Sequence, residues 1–123
     1  RHMQWYYFRV SGLPRGVPCK LNVVNLCKRD SLYNRGLRPL AYSERRARAE
    51  GVGWARACDR VAYFPSLIHQ RPAAPGAGGG GSFRTLTFTY TPSFEDDTVY
   101  FAHCYPYTTR HLRHDLAAIE ADP

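Results

Sequence analysis

The amino-acid sequence predicts an all-β domain, mainly an antiparallel β-sandwich, with a short helix near residues 44–50 and a C-terminal helix near 108–121. Nine Tyr, six Phe and two Trp among 123 residues favour strands. Strand-like runs follow one another across short turns, without the strand–helix–strand rhythm of a parallel sheet. The length is that of one domain, which buries roughly two-thirds of its unfolded surface and therefore folds without a metal or disulfide.

The first two strands are expected at residues 4–11 and 19–26. The run QWYYFRVS is rich in aromatic residues and reads as a buried strand. The run CKLNVVNL follows a turn at 12–16 that Gly and Pro punctuate. We therefore expect these two strands to form an antiparallel pair.

Three further strands are expected at 61–64, 83–91 and 98–104. In the second of these, apolar residues alternate with threonines, which predicts one buried face and one half-solvated polar face. The run TVYFAHC is apolar on both faces and therefore belongs nearer the centre of a sheet. Residues 92–97 are turn-forming types and are expected to join the last two strands as a hairpin connection.

Both helices have recognisable ends. Ser43 is a suitable N-cap for residues 44–50, and Gly51 is a suitable C-terminal stop. The C-terminal helix carries one apolar stripe, at i, i+4 and i+7: Leu112, Leu116 and Ile119. We expect this stripe to pack on the sheet or on a partner outside this chain.

The rest of the chain adds little structure. Residues 1–3 are expected to be cloning remnants, and residues 4–123 to form a single domain. The run PAAPGAGGGGS at 72–82 predicts a flexible Gly/Pro-rich loop outside the core. It is not a phosphate-binding loop, because the preceding strand and the following Lys-Ser/Thr and helix are missing.

Charge and cysteine content indicate the setting. The net charge is +7 and fifteen of the seventeen cations are Arg, whose planar fork suits carboxylates and phosphates. The spacing of the cysteines fits no zinc motif: Cys19, Cys27, Cys58 and Cys104. We expect reduced thiols and a cytoplasmic location, with a structural disulfide as the alternative. No apolar run approaches the roughly 20 residues that span a bilayer, so no membrane partner is expected.

No catalytic constellation is visible, and we assign neither catalytic nor metal-binding residues. His103 and Cys104 are adjacent in an expected strand, so their side chains point to opposite faces. His111 and His114 lie at i, i+3 on the last helix, but zinc sites use three or four ligands. We expect surface histidines, with His111 pairing to Asp115 at i, i+4. A metalloenzyme that uses all three histidines is the alternative, which metal analysis would test.

Arginines gather in two groups and form a candidate substrate-attracting surface: Arg35, Arg38, Arg45, Arg46 and Arg48. Tyr33 and Tyr42 lie nearby in the sequence and predict an aromatic edge for it. Such a surface suits acidic peptides or, through stacking, single-stranded nucleic acid. A stand-alone module for single-stranded nucleic acid is therefore the alternative function, although an RNA-recognition signature is missing.

Three stretches carry a family resemblance: WYYFRV at 5–10, SLYNRGLRPLAYS at 31–43 and DDTVYFAHCYPYT at 96–108. Together they resemble the N-terminal domain of the cytosolic zinc carboxypeptidases, the family that trims glutamates from tubulin. GVGW at 51–54 and TFTY at 87–90 also fit, so the resemblance covers nearly the whole chain in order.

The resemblance implies a β-sandwich directly before a metallocarboxypeptidase catalytic domain. That family's zinc ligands, substrate-binding Arg and general-base Glu lie in the following domain, so Zn²⁺ is expected downstream of residue 123 and no cofactor in this chain. The N-terminal domain is expected to support folding and orientation of its catalytic domain, and to attract acidic tails such as those of tubulin. The expected junction with the catalytic domain is formed by His103, Tyr105, Pro106, Tyr107 and Thr108.

Overall fold

A computed structural model describes residues 3–70 and 81–121 of the chain. Residues 1 and 2 of the expected remnant, and most of the loop predicted at 72–82, lie outside this description. Strands and helices are numbered in chain order: β1 Tyr7–Ser11, β2 Cys19–Leu26, β3 Leu40–Ser43, α1 Glu44–Glu50, β4 Asp59–Gln70, β5 Ser82–Tyr90, β6 Thr98–Ala102 and α2 Thr109–Glu120. A single turn of 3-10 helix, Leu32–Arg35, precedes β3.

The strands form two three-stranded antiparallel sheets, in the orders β1-β6-β3 and β2-β5-β4. This confirms the predicted all-β sandwich, but two predicted connections are wrong. β1 pairs with β6 and not with β2. Residues 92–97 connect β5 in one sheet to β6 in the other and do not close a hairpin.

The two sheets meet around Phe101, a fully buried residue of β6. Its ring centroid lies 5.5 Å from that of Phe8 in its own sheet, and 5.5 Å and 5.2 Å from those of Phe88 and Tyr90 in the facing sheet. The central position predicted for the 98–104 run is therefore confirmed, although the strand ends at Ala102.

The alternation predicted for β5 has a different consequence from the one expected. Leu86 and Phe88 are fully buried, but Thr85 and Thr87 on the other face are only 7% and 8% exposed. The half-solvated polar face is therefore wrong at these positions. β5 is the middle strand, so strands on both sides flank these threonines, with Phe64 opposite Thr85 and Asn22 opposite Thr87.

Helix α1 is held at both ends as the sequence predicts. The Ser43 hydroxyl accepts a hydrogen bond from the Arg46 N–H at 2.9 Å, and Gly51 has the left-handed φ of 68° that favours glycine. A buried carboxylate, Asp97, adds a second cap: it accepts from the Ser43 hydroxyl and, at 3.1 Å, from the Arg45 N–H. The loop before β6 is thus joined to the start of α1.

Neither helix in the described ranges is long and apolar enough to cross a membrane.

Candidate functional site

Four aromatic rings lie together on the outer face of the β1-β6-β3 sheet. Tyr7, Tyr42 and Tyr100 come from the three strands, and Trp54 reaches them from the segment after α1. Trp54 is held there because residues 41 and 55 exchange two backbone hydrogen bonds of 2.8 and 3.0 Å. The ring centroids of touching pairs lie 5.5 to 6.1 Å apart, with interplanar angles from 34° to 67°. We call these four residues the aromatic cluster.

The aromatic cluster forms the floor of a groove of about 840 Å³. Glu44 and Arg48 of α1 line one side, and Pro106, Arg110 and His111 line another. The Glu44 carboxylate is already engaged, accepting from the Tyr100 hydroxyl at 3.0 Å and pairing with Arg48 at 3.4 Å. Within the described chain, no ion pair engages Arg110.

Of the predicted junction residues, Pro106 lines this groove, Tyr105 and Tyr107 are exposed, and the others are partly buried. Tyr105 and Tyr107 are 62% and 63% exposed. The Tyr107 hydroxyl donates to the Asp115 carboxylate at 2.7 Å, and this hydrogen bond raises the pKa of the phenol. The Thr108 hydroxyl caps α2 by accepting from the His111 N–H.

The predicted His111–Asp115 pair is wrong. The Nδ1 atom of His111 accepts from the Thr108 N–H at 3.3 Å, which completes a capping box at the start of α2. Asp115 is engaged instead by the Tyr107 hydroxyl. The expectation of exposed histidines on this helix is confirmed for both His111 and His114.

The apolar stripe of α2 does not pack on either sheet. Leu112, Leu116 and Ile119 are 44%, 48% and 69% exposed, and every residue of the helix is exposed. Of the two expectations for this stripe, packing on the sheet is therefore wrong. An amphipathic helix of this length gains little stability from propensity alone, because most helical stability comes from packing.

His103 joins the core to the junction residues through a chain of hydroxyl groups. The Tyr6 and Tyr33 hydroxyls share a buried hydrogen bond of 2.7 Å, and the Tyr33 hydroxyl lies 2.7 Å from Nδ1 of His103. Burial raises the pKa of Tyr6, and it raises the pKa of Tyr33 to about 12. Burial also lowers the pKa of His103, with a further contribution from the nearby positive charges of Arg56 and Lys28.

Most members of the predicted arginine surface are engaged by acids. Arg35 pairs with Asp30, Arg38 with Asp59, Arg46 with Glu50 and Arg48 with Glu44. Arg45 is exposed and makes no such pair with the described residues.

The predicted aromatic edge of that surface is wrong at Tyr33. This ring is 3% exposed and belongs to the core. Tyr42 lies on the surface, where it contacts Trp54 in the aromatic cluster.

The three histidines of the alternative metalloenzyme are not brought together. The ring of His103 packs against Tyr6 and Tyr33, whereas His111 and His114 stand on the exposed helix α2. Across residues 3–70 and 81–121, no three His, Cys, Asp or Glu side chains converge on a possible metal position. All four cysteines are free thiols, and burial raises the pKa of Cys58 to about 12.

Two features were not predicted from the sequence. The aromatic cluster depends on cross-strand register, with Tyr42 opposite Tyr100 and residue 41 opposite residue 55. The hydroxyl chain joins residues 27 and 70 positions apart. The available signal in the sequence was that Tyr7 and Tyr100 alternate along their strands with residues that face the core.

Comparison with known proteins adds to this picture of a basic β-sandwich whose surface carries an aromatic groove and an unpartnered helix. The chain is 40% identical over all its 123 residues to cytosolic carboxypeptidase 3 from Mus musculus, and 40% identical over the same length to cytosolic carboxypeptidase 2 from Xenopus tropicalis. It is 36% identical over 118 residues, 96% of its length, to cytosolic carboxypeptidase 1 from Homo sapiens. No protein-family model matches the chain.

The fold and these identities together assign the chain to the class of N-terminal β-domains. The chain belongs to the cytosolic carboxypeptidase family, as the resemblance in its sequence implied. It spans only 11%, 12% and 10% of the length of the mouse, frog and human relatives, respectively.

Proposed function

We propose that the chain is a non-catalytic domain of a longer cytosolic zinc metallocarboxypeptidase, which removes glutamates from acidic protein tails such as those of tubulin. The names of the relatives, and the small fraction of their length that the chain spans, support this proposal. The zinc ion and the residues that cleave the peptide belong, in this proposal, to the catalytic domain of that longer protein.

The domain's first role is to support the folding and orientation of that catalytic domain. The observation that carries this role is the exposed apolar stripe of α2, which follows directly on the exposed residues Tyr105 and Tyr107. Apolar side chains on one helix face gain free energy when a partner covers them. The catalytic domain is the partner that the proposal assigns to this surface.

The second role is to attract acidic substrates. The net charge of +7 and the exposed arginines of the candidate surface support it. Long-range attraction raises the rate of encounter more than it fixes a bound geometry. Ion pairing does not remove this field, because the arginines still outnumber their acidic partners over the whole chain.

Serine substitutions in the α2 stripe test the scaffold role. In the 123-residue chain, L116S together with I119S should change the free energy of unfolding by less than about 0.5 kcal/mol, because both side chains are exposed. In the longer protein the same pair should lower soluble yield or carboxypeptidase activity, since each buried aliphatic side chain contributes about 2 kcal/mol.

The matched control is R113S, on the same helix but outside the stripe. It should leave the longer protein unchanged. Equal yield and activity for the stripe variant and the control would contradict the assignment of this surface to the catalytic domain.

A further inference from the structure

The aromatic groove has the chemistry of a binding site for an extended peptide that carries carboxylates. Its floor offers three hydrogen-bond donors: the hydroxyls of Tyr7 and Tyr42 and the indole N–H of Trp54. No hydrogen bond joins any of the three to another described residue. Tyr and Trp combine a large apolar surface with a polar tip, and are therefore well suited to contacts that are partly apolar and partly polar.

The charges around the groove favour an anion. Arg48 and Arg110 lie in its walls, and Arg9 stands opposite Tyr100 on the same outer sheet face. Glu44, the acid among the lining residues, pairs with Arg48 and accepts from the Tyr100 hydroxyl, which leaves Arg110 as the lining arginine without an ion pair to a described residue. Arginine next to a hydroxyl donor provides charge-assisted hydrogen bonds, which are about twice as strong as those between neutral groups.

The arrangement of the rings favours a peptide over single-stranded nucleic acid. Bases bind to a series of exposed ring faces on which they stack in succession. Here the touching rings are tilted against each other by 34° to 67°, so they do not present a series of parallel faces. Their hydroxyl and indole N–H donors suit the carboxylates and backbone carbonyls of an extended chain.

We infer that this groove is a docking site for an extended acidic peptide segment, which is bound by the aromatic cluster and by Arg110. The inference deepens the proposed attraction of acidic substrates and rests on it. It assigns the bound contacts to residues outside the candidate arginine surface. The groove supplies the short-range geometry that an attractive field alone does not provide.

The test is binding of a fluorescein-labelled oligoglutamate peptide to the 123-residue chain, followed by fluorescence anisotropy at low salt. Removing one cation with R110Q should weaken binding about tenfold, the cost of one charge-assisted hydrogen bond. The double variant Y7F/Y42F keeps the rings and removes two donors, so it should weaken binding about fivefold or more. The matched control R15Q removes one exposed cation outside the groove and should leave the affinity within about twofold.

Trp54 provides a local readout. In a W5F background it is the remaining tryptophan of the chain, so a change in its emission on adding the unlabelled peptide reports on the groove itself. A saturable change with the same dissociation constant as the anisotropy titration would support the site.

Three results would overturn the inference. One is peptide binding that R15Q weakens as much as R110Q, which would leave the general attraction of acidic chains intact and remove the groove. Another is tighter binding of an oligo-deoxythymidine than of oligoglutamate. The last is no binding of oligoglutamate at low salt, which would remove both the groove and the proposed attraction while leaving the scaffold role standing.

Discussion

At the scale of single residues, His103 lies at the boundary between the core and the exposed segment that follows β6. Its Nδ1 atom lies at the end of the hydroxyl chain formed by Tyr6 and Tyr33. A neutral imidazole accepts from Tyr33, which leaves the Tyr33 oxygen free to accept from Tyr6. Protonation of Nδ1 places two hydrogens between His103 and Tyr33, so it forces the buried chain to reverse or break.

The lowered pKa of His103 predicts a loss of stability in mild acid. Its folded-state pKa lies below the usual value of 6.5, mainly because of burial. Between these two pKa values the unfolded chain binds the proton more readily than the folded chain. The contribution of His103 is therefore fully present above 6.5, and it is lost as the pH falls from there through the folded pKa.

Urea unfolding across a pH series measures this effect. H103Q retains an acceptor for Tyr33 but does not titrate, so its free energy of unfolding should fall less than that of the parent chain between about pH 7.5 and about pH 5.5. H114Q, at an exposed position on α2, is the control and should follow the parent. Parallel pH profiles for H103Q and the parent would show that His103 does not carry the dependence.

At the scale of strands and helices, local signals in the sequence predicted the bounds of elements better than the pairing of strands. The bounds of β2 and α1 agree with the sequence prediction, since turn residues, Ser43 and Gly51 act within a few positions. The predicted partner of β1 was wrong because a short loop with Gly and Pro can form a hairpin within one sheet or cross to the other sheet equally well. Such a loop therefore does not indicate which sheet the next strand joins. The groove depends on the same pairing and was missed for the same reason.

The contact between the loop before β6 and the start of α1 predicts that substitution of Asp97 strongly lowers the free energy of unfolding. Its buried carboxylate accepts from the Ser43 hydroxyl and the Arg45 N–H, and it lies at the positive end of the helix. D97A leaves these donors without their partner and should lower the free energy of unfolding by about 2–3 kcal/mol. Thermal and urea unfolding would measure this loss.

Two further variants are compared with D97A. D97N keeps the size and one acceptor, so it should cost less than D97A. E95A removes an exposed acid from the same loop and should stay within about 0.5 kcal/mol of the parent. An equal effect of D97A and E95A would show that the buried cap contributes no more than loop charge.

At the scale of the whole molecule, the two candidate surfaces differ in range. The apolar stripe of α2 acts only on contact. The net charge of +7 acts over a distance of about 10 Å at about 0.1 M salt, the screening length of the solution. Composition revealed the charge from the sequence alone. It gave no indication that four of the five candidate arginines pair with acids; two of these pairs follow from i, i+4 spacing on α1, whereas those of Arg35 and Arg38 depend on the fold around them.

The charge predicts fast, salt-sensitive association with acidic peptides. The association rate constant for an oligoglutamate peptide, measured by stopped-flow fluorescence, should fall about tenfold or more between low and physiological salt. R45Q should lower this rate constant with little change in the dissociation rate, since Arg45 is exposed and has no acidic partner among the described residues. R35Q, which also frees Asp30, should have the same sign. An association rate that does not change with salt would contradict electrostatic attraction as a function of this domain.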